Sequence, residues 1–202
     1  MKNVLAVTAR LKRCSIAISY ENEIYETNKD IDAASNLVEL ADNLIKSNNI
    51  DLRKIEGIIT ASGPGSFTGI RAAHSFAKGL ALTLKLPAAS VSYFDVVKNI
   101  AALNMKNVAV AIKSEKGQVY YQTDEEFGIC PHTSLEDKIK NAAALVGDAW
   151  IFCSSSLLNA KKAIYVDDFR RAKNLLSFSH LITQDSKIEP IYLSHSGNYE
   201  NA

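Results

Sequence analysis

With 202 residues, 47% of them hydrophobic and 22% charged, the chain carries enough apolar content for one medium domain or two compact halves, and this excludes the disordered class. Its 23 basic and 22 acidic residues leave a net charge of +1. A protein that grips nucleic acid on its own usually carries a basic excess, so direct binding is disfavoured as the main role, although a local basic patch stays open.

The N-terminus leads straight into an apolar segment without a leader-like cleavage pattern, and no run approaches the roughly 18 apolar residues of a membrane helix. Cys14, Cys130 and Cys153 are widely spaced and form no C-x-x-C. Buried free thiols in a cytoplasmic protein with no membrane contact are therefore expected, not a disulfide framework or a zinc site.

Along the chain, three short strands are expected at residues 3–8, 14–20 and 23–27 from their apolar alternation and the Glu21-Asn22 break. Residues 33–46 have a helical period, with Leu37, Leu40, Ala41, Leu44 and Ile45 on one stripe. A buried strand at 55–61 leads through a glycine- and proline-rich loop into a long helix at 68–85, which Pro87 stops. A strand at 88–92 and a helix at 93–103 follow. The second half offers a hairpin of 107–113 and 118–123 around Glu115-Lys116-Gly117, strands at 150–153 and 163–166, and a helix at 170–182. The element order of the first half thus recurs in weaker form, without a sequence repeat. Two α/β halves are expected, 1–104 and 105–193, with a polar, mobile tail at 194–202.

The most informative stretch is Gly63-Pro64-Gly65-Ser66-Phe67-Thr68-Gly69-Ile70-Arg71. Glycines flanking a proline permit a tight turn, and Ser66 or Thr68 can cap the following helix. A glycine-rich loop entering a helix can also hold an anion, so both uses stay open. It is neither a Walker A loop nor a dinucleotide fingerprint. The helix beyond it is apolar almost all round. Ile70, Ala73, Ala77, Leu80, Ala81 and Leu84 form one stripe and Ala72, Phe76, Gly79 and Thr83 a second, with His74, Lys78 and Lys85 nearly its only strongly polar side chains. Burial on both sides follows, either wholly inside the fold or between the core and a protein partner.

The nine-residue loop string, followed by Ala77-Lys78-Gly79-Leu80-Ala81, strongly resembles the TsaB (YeaZ) family, the non-catalytic paralogues of TsaD in bacterial synthesis of threonylcarbamoyladenosine on tRNA. Val4-Leu5-Ala6-Val7, Cys14-Ser15-Ile16-Ala17-Ile18, Gly117-Gln118-Val119-Tyr120, Gly147-Asp148 and Pro190-Ile191-Tyr192-Leu193 are similar to further family segments. The resemblance covers the chain well to about residue 103 and patchily beyond. It implies the ASKHA fold (actin, hexokinase and Hsp70; ribonuclease H-like), as two α/β subdomains with mixed sheets.

The resemblance also implies a scaffold or activator subunit that forms a heterodimer with TsaD and associates with the ATPase TsaE. A homodimer is possible when the chain is alone, and tRNA is met only through the complex. TsaD moves a threonylcarbamoyl group from its ATP-derived adenylate to the adenosine beside the anticodon of tRNAs reading ANN codons, while this chain would need no cofactor, metal or catalytic residue of its own. The docking contacts would come from Leu37, Leu40, Ala41, Leu44, Ala72, Phe76, Gly79, Leu80 and Thr83. Phe76→Asp is expected to break the complex and spare the fold.

Where the family often reads Ile-Asp-Thr-Ser after the first strand, this chain has Val7-Thr8-Ala9-Arg10. Kinases of the fold hold metal and phosphate with that loop, and Thr8 stands where their carboxylate would be, which argues against the rival reading of an active small-molecule kinase; a homodimeric binding module using the same apolar face is the other rival. Lys113-Ser114-Glu115 and Ser194 depart from family positions as well. His74, His132, His180 and His195 include no pair at i, i+4, and His74 is expected at the surface or an interface. Asp124-Glu125-Glu126 and Asp167-Asp168 read as solvated turns before acid/base groups, Ser154-Ser155-Ser156 lacks a nucleophile elbow, and Lys161-Lys162 with Arg170-Arg171 and Lys173 form a modest basic region.

Overall fold

The computed structural model describes residues 2–10, 13–30, 33–102, 105–114 and 117–193. The tail expected at 194–202, the Glu115-Lys116 turn and the expected boundary at Leu103 lie outside them. Two compact units emerge, one made of Met1–Tyr93 with Arg170–Ile191 and the other built on Phe94–Phe169. The chain is thus divided differently from the single cut expected at residue 104, because residues 170–191 return to pack on the first sheet.

In the first unit, β1 (Val4–Arg10), β2 (Arg13–Tyr20) and β3 (Glu23–Lys29) form an antiparallel meander. α1 (Ala33–Ser47) crosses over to β4 (Gly57–Gly63), which lies parallel to β1, and α2 (Phe67–Leu84) crosses to β5 (Ala88–Ser92), parallel to β4. The sheet order is β3-β2-β1-β4-β5. One apolar cluster joins Leu5, Val7, Ile16, Ile18 and Ile58 of the sheet to Leu37, Leu40, Ala41 and Leu44 of α1 and Ala73 and Ala77 of α2. Each such Leu or Ile contributes roughly 1.5–3 kcal/mol on burial.

The returning segment explains the buried Thr8 of β1 and Ser15 of β2. Thr8 Oγ1 donates to Arg170 O at 2.7 Å, and the Ala172 N–H donates to Ser15 Oγ at 3.0 Å. Arg171 pairs with Glu26, whose side chain is only 9% exposed. Residues Ala172–Leu181 form a 3₁₀ helix burying Ala172, Leu175 and Leu176, not the α-helix expected at 170–182, with i→i+3 closures at both ends (Asn174 N to Arg171 O, Ile182 N to Ser179 O). Beyond it, Ser186, Glu189 and Ile191 hydrogen-bond to Ala88, Ser90 and Ser62.

The second unit begins where α3 (Tyr93–Ala101) leaves the first. Its β6 (Val108–Lys113), β7 (Gln118–Gln122) and β8 (Phe127–Pro131) form a second antiparallel meander. After α4 (Leu135–Ile139), β9 (Ala144–Gly147) lies parallel to β6, and after α5 (Ser155–Ala160), β10 (Lys162–Tyr165) lies parallel to β9. The order β10-β9-β6-β7-β8 repeats the first sheet strand for strand, with its crossover helices cut to one turn or so.

Residues 150–153, expected as a strand, instead make a 3₁₀ turn at Trp150–Phe152. Its N–H groups close on Ala149 O and Trp150 O, which buries Cys153 and leaves Ile151 and Phe152 outside. All three cysteines are buried and none is in a disulfide.

Candidate functional site

The loop before α2 is built as a turn and a cap. β4 ends at Gly63 with φ +113°, where a Cβ would stand 2.9 Å from Ile191 O and 3.0 Å from Ile70 Cδ1. Only glycine fits that conformation and that contact. A cis Gly63–Pro64 bond follows, and Pro64 is buried. Ser66, not Thr68, is the N-cap: its Oγ accepts from Gly69 N–H at 3.5 Å and its carbonyl from Ile70 N–H at 2.9 Å. Gly65 is half-buried and Thr68 exposed. The exposed Phe67 ring carries the Arg71 guanidinium 4.9 Å from its centroid. Of the two uses open from the sequence, this geometry is that of the capped turn.

α2 itself has three faces, set about 120° apart by the helical period. Gly69, Ile70, Ala73, Ala77 and Ala81 are buried on the core side. His74 joins them, contrary to its expected surface position. It is 6% exposed, its Nε2 lies 3.0 Å from Ala61 O, and burial lowers its pKa. The second face carries Ala72 and Phe76, half-buried against the core cluster, then Gly79 and Thr83, both exposed, with Thr83 Oγ1 donating to Gly79 O at 2.8 Å. A Cβ built on Gly79 meets nothing within 4 Å. Arg71, Ser75, Lys78, Leu82 and the C-cap Lys85 form the third face, all exposed.

The four α1 residues expected at a partner surface lie elsewhere. Leu37, Leu40, Ala41 and Leu44 are 3–8% exposed and face the sheet and α2, because the apolar stripe of α1 is only wide enough to cover the core. Leu80 is half-buried on the same cluster. What α1 offers outward is Val38, 71% exposed, among Glu39, Asp42 and Lys46.

The groups weighed for chemistry are engaged structurally. The Thr8 hydroxyl, buried where a kinase of this fold would place a carboxylate, holds Arg170 O. Asp124-Glu125-Glu126 is a turn in which Thr123 Oγ1 accepts from the N–H groups of Glu125 and Glu126, and Glu126 pairs with Lys138 at 3.2 Å. Asp167 and Asp168 are exposed, with Asp168 at φ +50°. Ser154 caps α5 through Leu157 N–H. In the expected basic region, Lys161 donates to Lys140 O and Ala142 O, and Arg171 to Glu26.

Among the described residues no group of three His, Cys, Asp or Glu could hold a metal. One residue escaped the sequence reading as a structural centre. Asp148 is 8% exposed and accepts from Lys113 N–H at 2.7 Å, and the glycine before it at a strand end was the available signal.

A family model described as TsaD, tRNA N6-adenosine threonylcarbamoyltransferase, matches residues 32–184. The chain belongs to this family, on its TsaB/YeaZ branch. Proteins named tRNA threonylcarbamoyladenosine biosynthesis protein TsaB are similar along nearly the whole length. That of Buchnera aphidicola subsp. Baizongia pistaciae is 29% identical over 96% of this chain and 99% of its own, and that of Haemophilus influenzae 24% identical over 94% and 92%. The solved structure of YeaZ from Pseudomonas aeruginosa superposes with a TM-score of 0.69 at 21% identity, covering 96% of this chain and all of that one. The two mixed five-stranded sheets are accordingly those of an ASKHA-type fold, as the resemblance implied. No described helix is long and apolar enough to cross a membrane.

Proposed function

We propose that this chain serves in threonylcarbamoyladenosine synthesis on tRNA as a non-catalytic subunit that docks onto TsaD through the second face of α2. The observation that carries this reading is Gly79. It sits exposed in the interior of an 18-residue helix with open space around it, where glycine costs about 1 kcal/mol relative to alanine. Nothing among the described residues requires a missing side chain there, whereas the close approach of a partner helix along Ala72, Phe76, Gly79 and Thr83 would. The engaged Thr8 hydroxyl supports a role without nucleotide chemistry.

The test is size-exclusion chromatography with light scattering on this chain, on the TsaD of the same genome, and on their mixture, with a transfer assay on each. A peak at the summed mass with transfer only in the mixture is expected, and Gly79→Gln with Thr83→Arg should abolish both. Phe76→Asp is a poorer probe than the sequence suggested, because Phe76 packs on the core cluster and its loss would mix folding with docking. Transfer by TsaD alone, or a variant that still pairs, overturns the reading. A self-paired chain that ignores TsaD would assign the same face to a homodimer.

A further inference from the structure

The third face of α2 is unused by the fold and by the docking just proposed. Arg71, Ser75, Lys78, Leu82 and Lys85 recur at i, i+4, i+7, i+11 and i+14, so they line one edge of the helix over about 21 Å. Not one acidic residue occurs in α2, in a chain whose basic and acidic residues otherwise nearly balance. At its C-terminal end this edge opens into a groove of about 620 Å³, whose rim includes Lys78, Leu82, Lys85, Ser186, Lys187 and one carboxylate, Glu189. Leu82, on the same rim, stands 82% exposed. Arg13, Lys46, Arg53, Lys54, Lys138 and Arg171 each pair with a carboxylate, but among the described residues Lys78, Lys85 and Lys187 pair with none.

We infer that this basic edge and groove hold the phosphate backbone of RNA, and specifically of the tRNA that the proposed function supplies; the inference rests on that function for the identity of the RNA. Three ammonium groups that pair with no carboxylate among the described residues, on one open surface, match a run of phosphates in sign. Their contribution would be sequence-independent and salt-sensitive, because each neutralised phosphate releases condensed counterions. A net charge near zero is compatible with this, since three lysines and a helix without one acidic residue still meet at a single groove.

The experiment titrates fluorescently labelled tRNA with the complex of TsaD and the full chain, at several salt concentrations. It uses wild type, a Lys78→Gln, Lys85→Gln, Lys187→Gln variant, and a charge-matched Lys2→Gln, Lys29→Gln, Lys106→Gln control. The groove variant should bind at least tenfold more weakly, with a log–log salt slope shallower by about 2 to 3, while its complex keeps its mass and the control behaves as wild type. Lys187→Glu alone, outside the helix, serves should the triple variant melt early, and the same weakening is expected of it in lesser degree.

Unchanged affinity and slope overturn the inference. So does a variant that keeps tRNA but loses binding to polyglutamate, which would give the groove to an acidic protein. Should the wild-type chain fail to pair with TsaD, the proposed function falls separately. The same titration on the chain alone then decides the groove: lysine-dependent binding supports it, and its absence overturns it.

Discussion

At Gly147 the backbone runs at φ +124°, and a Cβ would stand 2.1 Å from Ala111 O. Gly63, at the end of the matching strand of the other sheet, meets Ile191 O in the same way. No side chain can flex to relieve a clash with a neighbouring backbone oxygen, so Gly147→Ala should cost about 3 kcal/mol or more, read as a lowered urea midpoint.

His74 gives the residue-scale prediction in pH. Desolvation lowers its pKa, with Lys78 acting in the same direction and its bond to Ala61 O opposing. Below about pH 6.5 the unfolded chain therefore binds a proton that the native chain resists, so stability falls with pH there and levels off once the native group also titrates. Asp95, raised by burial, acts with opposite sign at lower pH. His74→Gln should flatten the dependence of the urea midpoint between pH 5 and 7, and an unaltered slope would remove His74 from the account.

Among elements, α2 is the most divided in purpose. Its core face was legible from Ile70, Ala73, Ala77 and Ala81, and the small-residue face from Ala72, Phe76, Gly79 and Thr83, because a 3.6-residue period sorts side chains without knowledge of their neighbours. Which faces stay open was not legible. His74 and α1's Leu37, Leu40, Ala41 and Leu44 look equally suited to a core or a partner until the sheet beneath them is known. Gly79→Ala separates the two roles. It should raise the stability of the isolated chain by about 0.5–1 kcal/mol, through helix propensity, yet weaken pairing with TsaD. Thermal melts and pull-downs on one preparation would show both, and loss of stability would mean an internal role for Gly79.

At the scale of the molecule, the segment Arg170–Ile191 completes the first unit from far along the chain. Thr8, Ser15 and Glu26 all spend their polar groups on residues 170–173. Truncation after Phe169 should therefore expose the sheet surface that covers Ala172, Leu175 and Leu176 and leave residues 2–93 open to limited proteolysis. Arg171→Ala, which takes the paired guanidinium from the nearly buried Glu26 carboxylate, should cost about 2–3 kcal/mol. Protease resistance equal to the intact chain would show that the unit closes without its return segment.

Local patterns in the sequence were enough for the first-half elements, the capped loop before α2, the buried cysteines without disulfides and the family, since alternation, helical period and turn residues act between near neighbours. The recurrence of element order pointed to two α/β halves. Short pieces such as β9, the Trp150–Phe152 turn and the 3₁₀ helix at Ala172–Leu181 hold too few residues to show a period. Only tertiary structure decided that the second sheet copies the first strand for strand, that Thr8 and Glu26 serve a distant segment, and that Lys78, Lys85 and Lys187 share one groove. Those facts depend on contacts across as many as 162 positions of chain, which no local periodicity encodes.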